Sequence, residues 1–176
     1  MTDSLFFDTD CISAFLWVHH ESLLPKLYPE KIVIPRPVYV ELSNPGISHL
    51  KARIDSMLAK GQLVIEDIVV GTVEFDIYYE LTENPALGHK IIGNGEAASI
   101  ALAKEKGGIV ASNNLRDIVD YIKEFHLNHK TTGDILVEAL QQGFITETEG
   151  NTIWTAMLHK RRKLGAPTFS DFIKNL

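Results

Sequence analysis

Cysteine is almost absent from the chain, which has a single Cys11 among 176 residues. One thiol cannot form a disulfide within the chain, and this length can bury a core without such staples. No uninterrupted apolar run approaches the roughly 20 residues that a membrane-spanning helix needs. The first residues carry an acid, Asp3, where a secretory leader carries positive charge. We therefore expect a soluble cytoplasmic protein with no membrane partner.

Basic residues are also few, because Lys and Arg total 17 against 23 Asp and Glu, which gives a net charge of −6. This balance argues against a general nucleic-acid binder, since such proteins are usually basic. An acidic total can still contain a local basic patch, or a carboxylate cluster that holds cations. The apolar share of 45% is typical of a globular domain.

Short apolar segments alternate with helical patterns along the chain. The segments are LFFD at 5–8, KIVIP at 31–35, LVIEDI at 63–68 and GIVAS at 108–112. This alternation predicts an α/β fold, a three-layer α/β/α sandwich with a mostly parallel central sheet. The last 35 residues are predicted to form extra C-terminal helices.

Acidic residues recur near the ends of these predicted strands. Asp8 ends the first strand, Glu41 lies on the helix after the second, Glu96 opens an Ala-rich helix, and Asp117 lies one turn into the helix after GIVAS. The carboxyl ends of parallel strands meet at one edge of a sheet, where ligands bind. Clustered carboxylates repel one another unless a cation neutralises them, and an oxygen-only set favours Mg²⁺ or Mn²⁺.

Every one of these acids except Asp8 also has a purely structural interpretation, whereas a strand-end acid beside Phe6 and Phe7 would be partly desolvated at a cost. Asp10 suits a helix N-cap, and Asn114 with Asp117 has the spacing of a capping pair. Glu96 would favour the helix dipole in a first turn, and Glu41 could lie on an exposed helix face. Their joint placement near one edge of the predicted sheet favours a cation-binding site over these separate structural roles.

Four stretches in this order, FFDTDCISAF, VYVEL, GNGEAASIALA and VASNNLRDI, resemble the PIN-domain ribonuclease family, which includes the VapC-type toxins. The resemblance spans residues 5 to about 122. It implies that Asp8, Glu41, Glu96 and Asp117 are the catalytic, metal-binding acids. It also implies that Thr9, Asp10, Ser112 and Asn114 support them. Residues 1–142 are then the PIN-like domain, and 143–176 are a C-terminal helical extension of the same domain.

The resemblance implies an endoribonuclease that uses Mg²⁺ or Mn²⁺ to hydrolyse RNA, leaving a 5′-phosphate and a 3′-hydroxyl. It further implies a homodimer and, for a toxin of a toxin–antitoxin pair, a partner antitoxin protein.

Two alternatives remain open from the sequence. FFDTDCI also resembles the first motif of haloacid-dehalogenase-type phosphatases, although Ile12 stands where that motif has Thr or Val. The amide pair Asn113-Asn114 and the acidic net charge would also suit a metal-free PIN-fold module that binds protein or RNA.

A basic run, HKRRK at 159–163, also has two possible interpretations. Positive charge suits the C-terminal end of a helix. The same residues could contact RNA phosphates, and the candidates for that role are Lys160, Arg161, Arg162 and Lys163.

Overall fold

The computed structural model describes residues 3–176. Its strands are Leu5–Phe7 (β1), Ile32–Pro35 (β2), Val64–Glu66 (β3), Ile109–Ala111 (β4) and Asn128–Lys130 (β5). Its helices are Thr9–Trp17 (α1), Leu23–Leu27 (α2), Arg36–Leu42 (α3), Ser48–Ala59 (α4), Val73–Thr82 (α5), Asn94–Lys106 (α6), Leu115–Glu124 (α7), Thr132–Gln141 (α8), Glu147–His159 (α9) and Phe169–Lys174 (α10), with a 3₁₀ turn at Pro45–Ile47. Within the described range, no helix has the length and apolar character that crossing a bilayer requires.

The five strands form one sheet in the order β3-β2-β1-β4-β5, and every neighbouring pair is parallel. The chain builds outward from β1 to β3 and then returns to place β4 on the other side of β1. This reversal lies between β1 and β4. In open parallel sheets, such a reversal opens a crevice beyond the carboxyl ends of the two strands.

Alternate strand residues pack into two separate cores. In β1, Leu5 and Phe7 belong to one apolar cluster and Phe6 belongs to the other. Helices α5, α6 and α7 contribute buried side chains to the Phe6 cluster, and the remaining helices contribute to the larger cluster. Helices therefore cover both faces of the sheet, which confirms the predicted three-layer α/β/α sandwich.

Two local predictions differ from the structure. β5 was not predicted, because its residues are polar (Asn-His-Lys), and it pairs with β4 at the edge of the sheet without the apolar run that marks a buried strand. The basic run HKRRK was predicted to lie at the C-terminal end of a helix, but α9 ends at His159, the first residue of the run. Arg161 then adopts a left-handed backbone conformation (φ 59°), so the run lies mostly in the loop after α9.

The C-terminal helices pack closely against the rest of the molecule through two glycines. Phe169 lies on Gly150 of α9, and the ring of Phe172 lies on Gly133 of α8. Trp154 is fully buried, and its ring centroid lies 5.7 Å from that of Phe169 and 5.3 Å from that of Phe172. The division of the chain at residue 142 remains a prediction.

Gly150→Ala is expected to destabilise the protein. A Cβ at this position would lie 2.3 Å from Cδ1 and 2.4 Å from Cε1 of Phe169, so α10 must shift. Overpacking of this kind costs about 1–3 kcal/mol, which exceeds the helix-propensity gain of up to about 1 kcal/mol. Urea unfolding should therefore give a net loss of roughly 1 kcal/mol or more.

Gly46→Ala is the control for that measurement, because the nearest atom to its Cβ would be Asn44 Oδ1 at 3.4 Å. An equal loss of stability in both variants would show that α10 is not held by its contact with Gly150.

Candidate active site

Asp8 follows β1 directly and is the N-cap of α1. Its Oδ1 accepts a hydrogen bond from the backbone N–H of Cys11 at 2.7 Å. The residue is only 1% exposed, and its Oδ2 is buried without a hydrogen-bond partner among the described residues. Burying a carboxylate oxygen without a partner is costly, so this atom marks a place where a ligand would be stabilising.

The electrostatic environment of Asp8 is unfavourable to its negative charge. Burial is the main cause that raises the pKa of Asp8 to about 8, and the carboxylates of Asp10 and Glu96 act in the same direction. The Ser112 hydroxyl, which lies near Asp8 but outside hydrogen-bond geometry with its Oδ2, and the Cys11 amide act in the opposite direction. A nearby cation favours the ionised form of a carboxyl group, so a metal ion here would reverse the balance.

Asp10 is not the N-cap of α1, and that prediction was wrong. Asp8 caps the helix because it is the residue with extended backbone (φ −79°, ψ 170°) whose side chain reaches the free N–H of Cys11. Asp10 lies in the first turn, with a side chain that is 55% exposed, and its Oδ1 is 3.9 Å from Nη1 of Arg162.

Glu41 lies near the end of α3 and accepts a hydrogen bond from the Thr9 hydroxyl. Gly95 of α6 lies against this pair: a Cβ there would be 2.8 Å from Thr9 Oγ1 and 3.2 Å from Glu41 Oε2. Sequence reasoning missed Gly95 as a site residue. The signal was present, because a glycine in the first turn of an otherwise Ala-rich helix costs helix stability and needs a reason.

Glu96 uses its two oxygens differently. Oε2 accepts from the backbone N–H of Gly93 at 2.9 Å, which caps α6. Oε1 accepts from Nδ2 of Asn114 at 2.6 Å. The capping interpretation is therefore correct for one oxygen, and the other joins Glu96 to the residues that follow β4.

Asn114 connects two acids through one amide. Its Nδ2 donates to Glu96 and also to Oδ2 of Asp117 at 2.7 Å. The residue is the N-cap of α7 by position, but its side chain caps no backbone N–H. Its own N–H donates to the buried Ser112 hydroxyl at 3.1 Å. Asn113 points elsewhere, with bonds of 2.9 Å and 2.8 Å to Thr132 that anchor α8.

Asp117 has both oxygens engaged. Oδ2 accepts from Asn114, and Oδ1 accepts from Lys90 Nζ at 3.1 Å. These two partners lower the pKa of Asp117, Asn114 more than Lys90. Sequence reasoning missed Lys90, which lies in the glycine-containing loop before α6 and carried no pattern that pointed to Asp117.

A cleft of about 160 Å³, which we call the acidic cleft, brings most of the predicted residues together. It is lined by Asp8, Thr9, Asp10, Glu41, Gly93, Gly95 and Glu96. Asp117 does not line it and is connected through Asn114. Across residues 3–176, no three His, Cys, Asp or Glu side chains already converge as a metal-binding group.

The chemistry of the acidic cleft nevertheless suits a hard cation. Its side-chain ligands are oxygens, which Mg²⁺ and Mn²⁺ prefer. The partnerless Oδ2 of Asp8 is the strongest single indication, because a cation would supply the interaction that the protein does not. Asp8, Glu41 and Glu96 are the residues that would hold it.

A parallel sheet with a carboxylate cleft at its point of reversal defines a class of α/β proteins that bind ligands at this edge. Comparison with protein families identifies the family within this class. The family model DUF3368, described as a PIN domain, matches residues 4–176, and the chain belongs to this PIN-domain family. The PIN domain is a nuclease fold, so membership of this family supports the classification of the chain as an enzyme. No curated protein matches the chain, and no solved structure does.

Proposed function

We propose that this protein is a Mg²⁺- or Mn²⁺-dependent endoribonuclease. The observation that carries the proposal is the buried Oδ2 of Asp8, which has no partner and belongs to a cleft shared with Glu41 and Glu96. The family supports the nuclease class, since the chain is a PIN domain over residues 4–176. The same match favours this interpretation over the phosphatase alternative.

The residues of the cleft have distinct roles in this proposal. Asp8, Glu41 and Glu96 would hold the metal, which when bound polarises a phosphodiester and lowers the pKa of water. Thr9 orients Glu41, and Asn114 orients Glu96 and joins Asp117 to the set. Hydrolysis adds water across the P–O3′ bond and leaves a 5′-phosphate and a 3′-hydroxyl.

Glu96→Gln is expected to lower the rate of RNA cleavage by more than about 100-fold, because the amide keeps one oxygen but loses the charge of a metal ligand, and loss of a group that only orients a ligand already costs about 10–100-fold. The matched control is Glu105→Gln, at an exposed position of the same helix. Both variants are assayed on single-stranded RNA with Mn²⁺, and again after chelation with EDTA. Equal rates in the two variants would contradict the assignment of Glu96.

A second function, a metal-free binding module, is favoured by a specific observation. Asn114 and Lys90 already supply donors to Glu96 and Asp117, so part of the acidic set has hydrogen-bond and ion-pair partners without a metal ion. Calorimetry with Mn²⁺ separates the two functions. A nuclease gives binding heat that Glu96→Gln reduces, whereas a metal-free module gives none.

The toxin role, the homodimer and the antitoxin partner belong to this proposal through the VapC-type resemblance alone. Light scattering of the purified chain tests the dimer. A phosphomonoester assay tests the remaining alternative, since turnover there without RNA cleavage would favour a phosphatase.

A further inference from the structure

A second cleft, which we call the basic cleft, lies directly beside the acidic cleft. It has a volume of about 280 Å³ and is lined by Asp10, Asn113, Arg161, Arg162 and Lys163. Asp10 lines both clefts. An extended ligand bound in one cleft would therefore reach the other cleft by passing only the side chain of Asp10.

Arg162 is held in place at the wall of the basic cleft. Its Nη1 donates to the Ser13 hydroxyl of α1 at 3.2 Å, and its Nε donates to the carbonyl of Lys160 at 2.9 Å. Its Nη1 also lies 3.9 Å from Asp10, which offsets part of the negative charge between the clefts. A guanidinium that is already ordered loses little side-chain entropy when it binds an anion.

Arg161 and Lys163 supply charge that the protein does not use internally. Both are exposed, and in the part of the chain that the structure describes neither has a carboxylate within 4.0 Å. The left-handed conformation of Arg161 (φ 59°) turns the chain immediately after α9. Three cationic side chains therefore line one small cleft of a protein whose net charge is −6.

Lys160, the fourth basic residue of the run, does not line the basic cleft. Its ammonium lies over the Trp17 ring, 5.4 Å from the centroid. The chain thus offers an internal comparison, since Lys160 has the same charge as its neighbours and a different position.

We propose that the basic cleft binds a backbone phosphate of the RNA strand next to the phosphodiester in the acidic cleft. This inference rests on the proposed function. A polyanion repelled by Asp10, Glu41 and Glu96 needs cations close to the acidic cleft, and the basic cleft provides them. Arginine is suited to this task because its planar donor fork matches a phosphate group.

The test is RNA binding without cleavage. A short fluorescein-labelled single-stranded RNA is titrated by anisotropy in EDTA, with the double variant Arg161→Gln/Lys163→Gln, with Arg162→Gln, and with Lys160→Gln as the control. The exposed double variant keeps the test valid even if Arg162→Gln disturbs the contact with Ser13. Thermal unfolding of each variant checks that the fold is intact.

We expect the double variant to bind about 10-fold more weakly and Lys160→Gln to bind like the unmodified protein. Loss of one phosphate contact on a single strand reduces the slope of log affinity against log salt by about 0.7, so the double variant should lose roughly 0.7. An equal loss of RNA affinity in the Lys160→Gln control would show that the effect depends on overall positive charge and not on the basic cleft, and this would overturn the proposal. Unchanged binding in the double variant would overturn it as well.

The outcomes for the two proposals are distinguishable. If Glu96→Gln loses cleavage and the double variant binds RNA normally, the nuclease assignment stands and the phosphate site does not. If the unmodified protein cleaves no RNA while the double variant binds RNA weakly, the proposed nuclease function is wrong and the phosphate site stands in an RNA-binding protein. If neither variant changes RNA binding but an acidic protein competes for the basic cleft, the phosphate assignment is overturned.

Discussion

Asp8→Asn is expected to reduce RNA cleavage on the order of 10³-fold while it stabilises the metal-free protein. The first effect follows from the position of Asp8, the one acid of the acidic cleft with a buried and partnerless oxygen. Loss of a partner that only orients a metal ligand costs about 10–100-fold, and loss of the ligand itself should exceed that. Cleavage with Mn²⁺ is measured at saturating metal and again at limiting metal.

The second effect follows from the raised pKa of Asp8. Burial raises the pKa of this carboxyl group to about 8 in the folded protein from its ordinary value of 3.8, so between these pH values the folded state binds a proton that the unfolded state has lost. Stability of the metal-free protein therefore falls as pH rises from about 4 to about 8, and it is unaffected by this group below that window. At about 1.4 kcal/mol per pKa unit, the fall amounts to at most about 6 kcal/mol.

Asp8→Asn should remove this pH-dependent fall, because an amide does not titrate and can still cap α1. Thermal unfolding in EDTA at several pH values measures it. Asp76→Asn is the control, since Asp76 is exposed on α5 and does not contribute to the raised pKa of Asp8, so this variant should keep the fall in stability with pH. Mn²⁺ should flatten the profile of the unmodified protein, because a bound cation favours the ionised carboxylate. A profile that is the same for Asp8→Asn and the unmodified protein in EDTA would rule out this account of Asp8.

Asn114→Asp is expected to destabilise the metal-free protein and to make its stability depend on Mn²⁺. The change removes the amide that donates to Glu96 and Asp117 and places a third carboxylate between them. Hydrogen bonds to charged groups contribute about 1.5–3 kcal/mol when buried, so we expect a loss of roughly 2 kcal/mol at this partly buried position. Unfolding in EDTA and in excess Mn²⁺ measures both effects.

Recovery with Mn²⁺ is the informative part of this experiment, since a ligand that binds only the folded state raises its stability. Asn113→Asp is the matched control. Asn113 bonds to Thr132 and contacts neither Glu96 nor Asp117, so its variant should be destabilised without recovery by Mn²⁺. Equal recovery in both variants would argue that Asn114 does not occupy a cation-binding position.

The fold was largely predictable because its central strands are continuous apolar runs. Residues such as Leu5, Phe6 and Phe7 are buried on both faces of a parallel sheet, and this environment leaves a clear trace in the sequence. β5 could not be predicted on the same basis. It is a short polar edge strand, and only its pairing with β4 identifies it.

The sequence predicted most of the acids that line the acidic cleft, but it did not predict the hydrogen bonds that join them to other residues. Strand ends and the helices that follow them indicated Asp8, Glu41, Glu96 and Asp117 as neighbours, since topology determines which elements meet. The first three line the cleft, and Asp117 is connected to it only through Asn114. The bond from Asn114 to Glu96 joins residues 18 apart in the chain, and that from Lys90 to Asp117 joins residues 27 apart. Side-chain partners across loops depend on rotamers and loop paths, which residue spacing does not specify.

The position of the basic cleft along the chain has a consequence for biosynthesis. Asp8, Glu41 and Glu96 all belong to the first 96 residues, whereas Arg161, Arg162 and Lys163 lie between α9 and α10. Because synthesis runs from the N-terminus, a ribosome produces these three acids of the acidic cleft well before the cations of the basic cleft. If the basic cleft binds an RNA phosphate as proposed, a nascent chain passes through a stage that has the acids without those cations, and it can hold a strand only after α9 has been made.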